Sequence, residues 1–309
     1  MADPSAAWQD RTRAVAGGIR LRVFEHVLRQ GEGYLSQACS AGEMLAMLYT
    51  RTLRLAELDA PIVPGPFMGV PGRTNPGYQT GGIYNGVQGP ELDRFIFSPA
   101  QYALALYATL IEVGRLAPSG LDDFNRDGGT VEMIGAEHSP GIETTTGSLA
   151  QALSQAAGIA VARKRRGDTG LVWVLMSADE FEEGQTWEAM ANAAFHRIDN
   201  LRVIVDANGQ QCDGRVSSVG NLDHLADRIR AFGATCDEVD GHDLDALDAA
   251  MSRRTFGPHI VLARTVPTRG VPLLREKAPL LHTLRFASPV EKERYQAAFE
   301  AMSREAVRA

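Results

Sequence analysis

The sequence predicts an α/β fold, a mainly parallel sheet with helices on both faces. Three observations predict it. From Gly170 onward, short apolar runs alternate with helix-like stretches, the pattern of strands joined by crossover helices. The strand-like runs LVWVLM, LRVIVDAN and HIVLART are almost continuously apolar, as strands covered on both faces are. Polar clusters follow the ends of these runs, at Ser177 to Gln185 and at Asp206 to Gly214, where a parallel sheet presents its ligand crevice. With 309 residues, 44% of them hydrophobic, there is material for one large core. We expect a single domain over 1–309. Its parts would be a helical N-terminal segment (1–60), a Pro/Gly-rich loop (60–95), an α/β core (96–286) and a C-terminal helix (287–309).

The elements follow in order. From about Ala7 to Gln30, Val15, Ile19, Val23 and Val27 recur at helical spacing. Ser40, with Glu43 three residues on, reads as a capping box opening a second helix. PIVPGPFMGVPGRTNPGYQTGGIYNG has no period and is too rich in Pro and Gly for a regular element. A loop this long in a domain tends to be functional, interfacial or disordered. RFIF is a short strand, followed by a helix starting near Ser98. Thr145 to Arg165 reads as a helix with a face of small residues, Ala150, Ala152, Ala156, Ala157 and Ala160, which permits close approach of another backbone. Helices QTWEAMANAAFHR, DHLADRIRAFG and LDALDAAMSR alternate with the strands, and TCDEVDG holds a further short one. Ser288-Pro289-Val290-Glu291 then opens a terminal amphipathic helix with an N-cap, a first-turn Pro and a capping-box Glu.

Composition excludes several classes. The formal net charge is −7, with no basic stripe to suggest nucleic acid. No run of 18 apolar residues exists to span a membrane, and MADPSAAWQD lacks the pattern of a signal peptide. Cys39, Cys212 and Cys236 form no CxxC pair, which reads as a reduced, cytoplasmic protein.

The chemistry should lie in the crevice. The stretch VLMSADEFEE ends a strand in a knot of carboxylates: Asp179, Glu180, Glu182 and Glu183. Asp179, the amide oxygen of Asn208 and the carbonyl of Gln210 are hard oxygens suited to Mg²⁺ or Ca²⁺, with phosphate completing the shell. The Gly147-Ser148 turn before a helix could add N–H donors to a phosphate. Plainer readings stand beside these. Asp179 can be a solvated loop acid, and Asn208 the turn-former of Asn-Gly. His196 reads as a helix C-terminal histidine, His242 as a turn cap, and Trp173 and Trp187 as core or interface residues.

Several long stretches resemble the N-terminal, diphosphate-binding half of transketolase, as found in split two-subunit members. They are SPGIETTTGSLAQALSQAAGIAVA, EEGQTWEAMANAAFHRIDNLRVIVDANGQQCDG, LADRIRAFGATCDEVDGHDLDAL and VLARTVPTRGV, in the family's order. The resemblance implies thiamine diphosphate at a subunit interface, with its metal held by an Asp of a Gly-Asp-Gly triplet, a later Asn and a backbone carbonyl. Here Asn208 and Gln210 match, but the triplet is Ser177-Ala178-Asp179, with Ala178 where the metal-binding Asp belongs. Tyr34 and Gln101 stand where the family has channel histidines. His138 and His282 fall near other family histidines, and Glu183 matches the Glu that pairs across the interface.

The resemblance therefore implies catalytic roles for Glu183, His138 and His282. It implies cofactor contacts for Gly147, Ser148, Leu149, Ser177, Ala178, Asp179, Glu180, Asn208 and Gln101. Asp179, Asn208 and Gln210 would hold the metal. A separate C-terminal, pyrimidine-binding chain is implied, in a heterotetramer, with a sugar phosphate or related ketose as substrate and ketol transfer as the reaction. Two alternatives are a 2-oxoacid dehydrogenase component passing its acyl unit to lipoate, and a cofactor-free structural or regulatory subunit.

Overall fold

The computed structural model describes residues 6–308 except 71 and 213. Five strands form one all-parallel sheet: β1 (Arg94–Phe97), β2 (Val172–Ser177), β3 (Leu201–Ala207), β4 (Thr235–Asp240) and β5 (His259–Arg264). Their spatial order is β1-β2-β3-β5-β4, so β4 lies at an edge beyond β5. Helices cover both faces, as the apolar runs require.

Alternate strand residues feed two separate cores. Trp173, Leu175, Ile204 and Val261 pack under α1 (Ala6–Gln30), α2 (Leu35–Met47), α3 (Ala103–Glu112) and α7 (Leu244–Met251). Val174, Met176, Val203, Val205 and Leu262 face α4 (Gln151–Arg166), α5 (Gly184–Phe195) and α6 (Leu225–Ala231). Period-two alternation within one apolar run is what lets a strand serve both layers. The terminal helix α8 (Pro289–Arg308) docks on α1 through Phe24, whose ring meets Tyr295 and Phe299 edge-on at 6.2 and 5.6 Å. The edge strand β4 is charged, and Glu238 accepts from Arg264 at 2.6 Å, which discourages pairing with another sheet.

Three element starts differ from the sequence reading. The helix expected near Ser98 opens as a 3₁₀ turn at Ala100–Tyr102 and becomes α3 only at Ala103. Helix α2 begins at Leu35, so Ser40 is mid-helix and caps nothing. Glu43 is buried between Arg20 and His242, a stronger draw than a local cap. Helix α4 begins at Gln151 rather than Thr145, because Ala150 adopts a left-handed conformation (φ 70°) that no right-handed helix can pass through. Its small residues do face inward, with Ala152, Ala156 and Ala160 fully buried against the sheet. Among its described residues the Pro/Gly-rich segment carries a 3₁₀ turn at Gly81–Asn85 and isolated bridges from Ile62 to Leu116 and from Gly72 to Asn75. It is pinned to the stretch around His138, with Gly81 N donating to Glu137 O at 2.7 Å and Gly141 N to Gly81 O at 2.9 Å.

Candidate active site

The carboxyl ends of β2 and β3 lie side by side, with Ser177 opposite Asp206 in register. After Ser177 the chain makes one 3₁₀ turn, Ala178–Glu182, and this turn separates the acidic knot. Glu180 turns inward and is fully buried. It accepts from Ser177 N at 2.9 Å, Ala150 N at 2.9 Å and Ser98 Oγ, so both its oxygens are held by protein donors. Burial pushes its pKa up to about 7, against the pull of these bonds. Glu182 reaches outward and accepts from Gln211 at 2.7 Å, and Glu183 is exposed at the start of α5.

Ala178 and Asp179 face different cavities. Ala178 lines a cleft of about 540 Å³ with Gly209, Gln210, Arg215 and Arg264. Asp179 lines a small cavity of about 20 Å³ together with Gln101, Asn208, Gln210 and His282. Five of the residues expected at the site thus meet in one place. Burial raises the pKa of Asp179 and the Glu182 charge adds to this, while a Ser177 hydrogen bond and the His282 ring oppose it.

Beneath the cavity lies a hub that the sequence did not announce. Asp206 is 1% exposed at the end of β3. It accepts from Ser40 Oγ at 2.6 Å, Tyr102 Oη at 2.9 Å, Asn208 Nδ2 at 3.2 Å and Thr265 Oγ1. Burial raises the Asp206 pKa against those bonds, and burial together with the Asp206 charge keeps the Tyr102 phenol protonated. The hub fixes Asn208: Nδ2 faces Asp206 and Tyr102, and Oδ1 accepts from Gln210 N at 2.8 Å. The available signal was an Asp breaking the apolar run LRVIV, where a buried carboxylate demands donors. The donors themselves come from four distant stretches.

A cation would meet the oxygens of Asp179, Asn208 and Gln210. The expected ligand atom of Gln210 is its backbone carbonyl; its side-chain Oε1 is a second acceptor, buried with no hydrogen-bond partner among the described residues, on a residue that lines the same cavity as Asp179. A volume near 20 Å³ is about the room of one water or one ion. Among the described residues no three His, Cys, Asp or Glu side chains converge on a metal position, so the donor set is one carboxylate with amide oxygens. That set suits Mg²⁺, which takes one or two carboxylates and leaves the rest of its shell to phosphate and water.

The other expected residues fall around this centre. Gly147 and Ser148 are exposed, and a Cβ on Gly147 would meet nothing within 4 Å, so their turn is open to a ligand. Leu149 is half-buried beside them. His282 packs edge-on to Tyr34 at 5.2 Å and is anchored through its carbonyl, which accepts from Gln37 at 3.1 Å. His138 lies elsewhere, in a cavity of about 210 Å³ beneath the Pro/Gly-rich segment, with its ring against Phe67 at 4.5 Å and Nε2 3.0 Å from Glu132. His242 does more than cap a turn. Its Nε2 accepts from Val266 N at 2.8 Å, so Nδ1 carries the proton and donates to Glu43 at 2.9 Å.

The family described as "Transketolase, thiamine diphosphate binding domain" matches residues 85–300. The chain belongs to the transketolase family. An uncharacterized transketolase family protein of Sinorhizobium fredii is 34% identical over 265 residues, covering 83% of this chain and 85% of that one. A 6-deoxy-6-sulfo-D-fructose transketolase subunit of Clostridium sp. strain MSTE9 is 31% identical, covering 82% of this chain and 84% of that one. Human transketolase-like protein 2 is 29% identical over 92% of this chain, but only 41% of its own length is covered. The crystal structure of Campylobacter jejuni transketolase superposes with a TM-score of 0.70 over 97% of this chain and 48% of that one, at 20% identity. This transketolase-family chain thus carries the fold of the N-terminal half and spans less than half the length of those two longer proteins.

Proposed function

We propose that this chain is the diphosphate-binding subunit of a thiamine-diphosphate-dependent, transketolase-like enzyme that transfers a two-carbon ketol unit between sugars or their phosphates. A C-terminal, pyrimidine-binding partner completes it, in a heterotetramer. The observation that carries the reading is the meeting of Asp179, Asn208, Gln210, Gln101 and His282 in one cavity at the carboxyl ends of β2 and β3. The likeness to a relative named as a transketolase subunit, of similar length, supports the split arrangement.

Thiamine diphosphate, when bound, supplies the electron sink for carbon–carbon cleavage that side chains lack. The protein's share is binding and orientation. Asp179, Asn208 and Gln210 would hold Mg²⁺, and the Asp206 hub keeps Asn208 in one orientation for it. The open Gly147-Ser148 turn offers N–H donors to a phosphate group. Gln101 and His282 offer polar groups to a ketose on the same side, where the His282 imidazole can hold or release a proton. Glu183, exposed on the surface, would meet the partner.

The test is calorimetric titration of thiamine diphosphate with Mg²⁺ into this chain co-expressed with its partner, with and without EDTA, followed by a ketol-transfer assay. Saturable binding that EDTA abolishes, together with transfer, is expected. Absence of binding in both conditions would overturn the reading and leave a cofactor-free role.

A further inference from the structure

The opposite, amino-terminal edge of the sheet carries a second cleft, of about 780 Å³. Trp173 is in register with Arg202, and Arg202 with His259, across β2, β3 and β5. Register partners share a face of the sheet, so these three side chains stand in a row. Two of them hold a buried donor nitrogen that has no hydrogen-bond partner among the described residues, Trp173 Nε1 and Arg202 Nε, while His259 is turned to Asp237 through Nε2 at 2.9 Å. Trp173 and Arg202 line the cleft. Native interiors rarely leave such groups unpaired, and a site for an ion or water is one physical reason for them.

Arg202 is the centre of the row. It is 6% exposed, and among the described residues its guanidinium makes one hydrogen bond, from Nη1 to Thr255 Oγ1 at 3.1 Å. The carboxylate whose charge reaches it, Asp199, is paired with Lys164 at 2.7 Å. The other acids of the cleft are also engaged, Asp93 by Arg54 at 2.8 Å and Asp248 by Arg51 at 3.1 Å. Arg254 stands exposed at the same cleft. The lining holds five arginines against three aspartates, in a chain whose net charge is −7. A buried guanidinium without a counter-ion is costly, and an anion would remove that cost.

We propose that this cleft is an oxyanion site for a phosphate group, as inorganic phosphate or a phosphate monoester, with Arg202 as its buried anchor and Arg254 and Thr255 beside it. The planar fork of Arg matches phosphate oxygens in pairs. A tetrahedral anion accepts from several directions, as donors spread around a cleft require. The site lies at the far end of the strands from the cofactor cavity and does not depend on the function proposed above.

The experiment follows the three tryptophan indole N–H signals of the full chain by ¹H–¹⁵N NMR, the Trp173 signal being assigned with Trp173→Phe. Sodium phosphate and glycerol phosphate are titrated in separate arms, against sodium chloride at matched ionic strength. A saturable shift of the Trp173 signal is expected with phosphate and not with chloride, and the tighter arm identifies the source. Arg202→Met should abolish saturation and Arg202→Lys should keep part of it. Arg254→Ala, at an exposed position that leaves the fold alone, should weaken binding about tenfold, the worth of one charge-assisted hydrogen bond. A linear response equal to that of chloride overturns the proposal. So does saturable binding that both Arg202→Met and Arg254→Ala leave unchanged.

Discussion

Ala178 and Asp179 show how one step along a backbone decides a site. Neighbouring side chains line different cavities, and it is Asp179 that shares one with Asn208, while Gln210 borders both. Asp179→Ala should therefore weaken Mg²⁺–thiamine diphosphate binding by about tenfold to a hundredfold, the loss of one charged ligand contact. Ala178→Asp should change it little, since that side chain enters the other cleft. Calorimetry on both variants checks this, and the reverse ranking would place the cation on the Ala178 side. A second residue gives a pH signature. His26 is 2% exposed, and burial, with Arg29 beside it and Asp122 opposing, lowers its pKa from 6.5 to about 4. Above pH 6.5 both folded and unfolded states hold it neutral. As pH falls from 6.5 to about 4 only the unfolded state gains the proton, so stability falls across that window, by about 3 kcal/mol at full effect. Urea midpoints from pH 7 to 4 should show this acid limb, and His26→Leu should flatten it. An unchanged limb in the variant would remove His26 as its cause.

At the scale of elements, the strands were legible because burial on both faces demands continuous apolar runs, as LVWVLM and LRVIVDAN have. Helix starts were less legible where long-range partners outbid local ones. Ser40 and Glu43 have the spacing of a capping box, yet Ser40 serves Asp206 and Glu43 serves Arg20 and His242. The Asp206 hub was hidden for the same reason. Ser40, Tyr102 and Thr265 each look ordinary in their own stretch, and only the packing of α2, the turn before α3 and the end of β5 brings them to one carboxylate. Asn208, Gln210, Gln101 and His282 follow strand ends or long matching stretches in order, and the structure gathers all four around one cavity. The loop that frames His138 depends on one close approach. A Cβ on Gly81 would lie 1.7 Å from Ser139 O, a backbone atom that cannot move aside cheaply. Gly81→Ala should cost about 1–3 kcal/mol, as overpacking does. It should also expose residues 60–90 to limited proteolysis ahead of global unfolding. A variant as stable and as protease-resistant as the wild type would show that this contact does not hold the segment.

Across the whole molecule, exposed apolar side chains are unevenly distributed. Val63, Met68, Val70 and Val87 are 66, 73, 69 and 78% exposed, all within the Pro/Gly-rich segment, and Phe67, Met68 and Ile83 share one cavity there. Single exposed hydrophobics are ordinary, but a group of them in one irregular segment is a candidate interaction surface. This segment packs on the His138 stretch, next in the chain to the open turn at Gly147. A partner that completes the cofactor site has reason to dock there. Met68→Asp with Val70→Asp should abolish co-purification of the C-terminal partner. The lone chain's stability should stay within about 0.5 kcal/mol, because neither side chain is part of a core. Loss of thiamine diphosphate binding together with loss of the partner would tie the two to one surface. An intact complex in the double variant would move the interface elsewhere, and the exposed patch at Phe195 and Phe232 would then be the next surface to substitute.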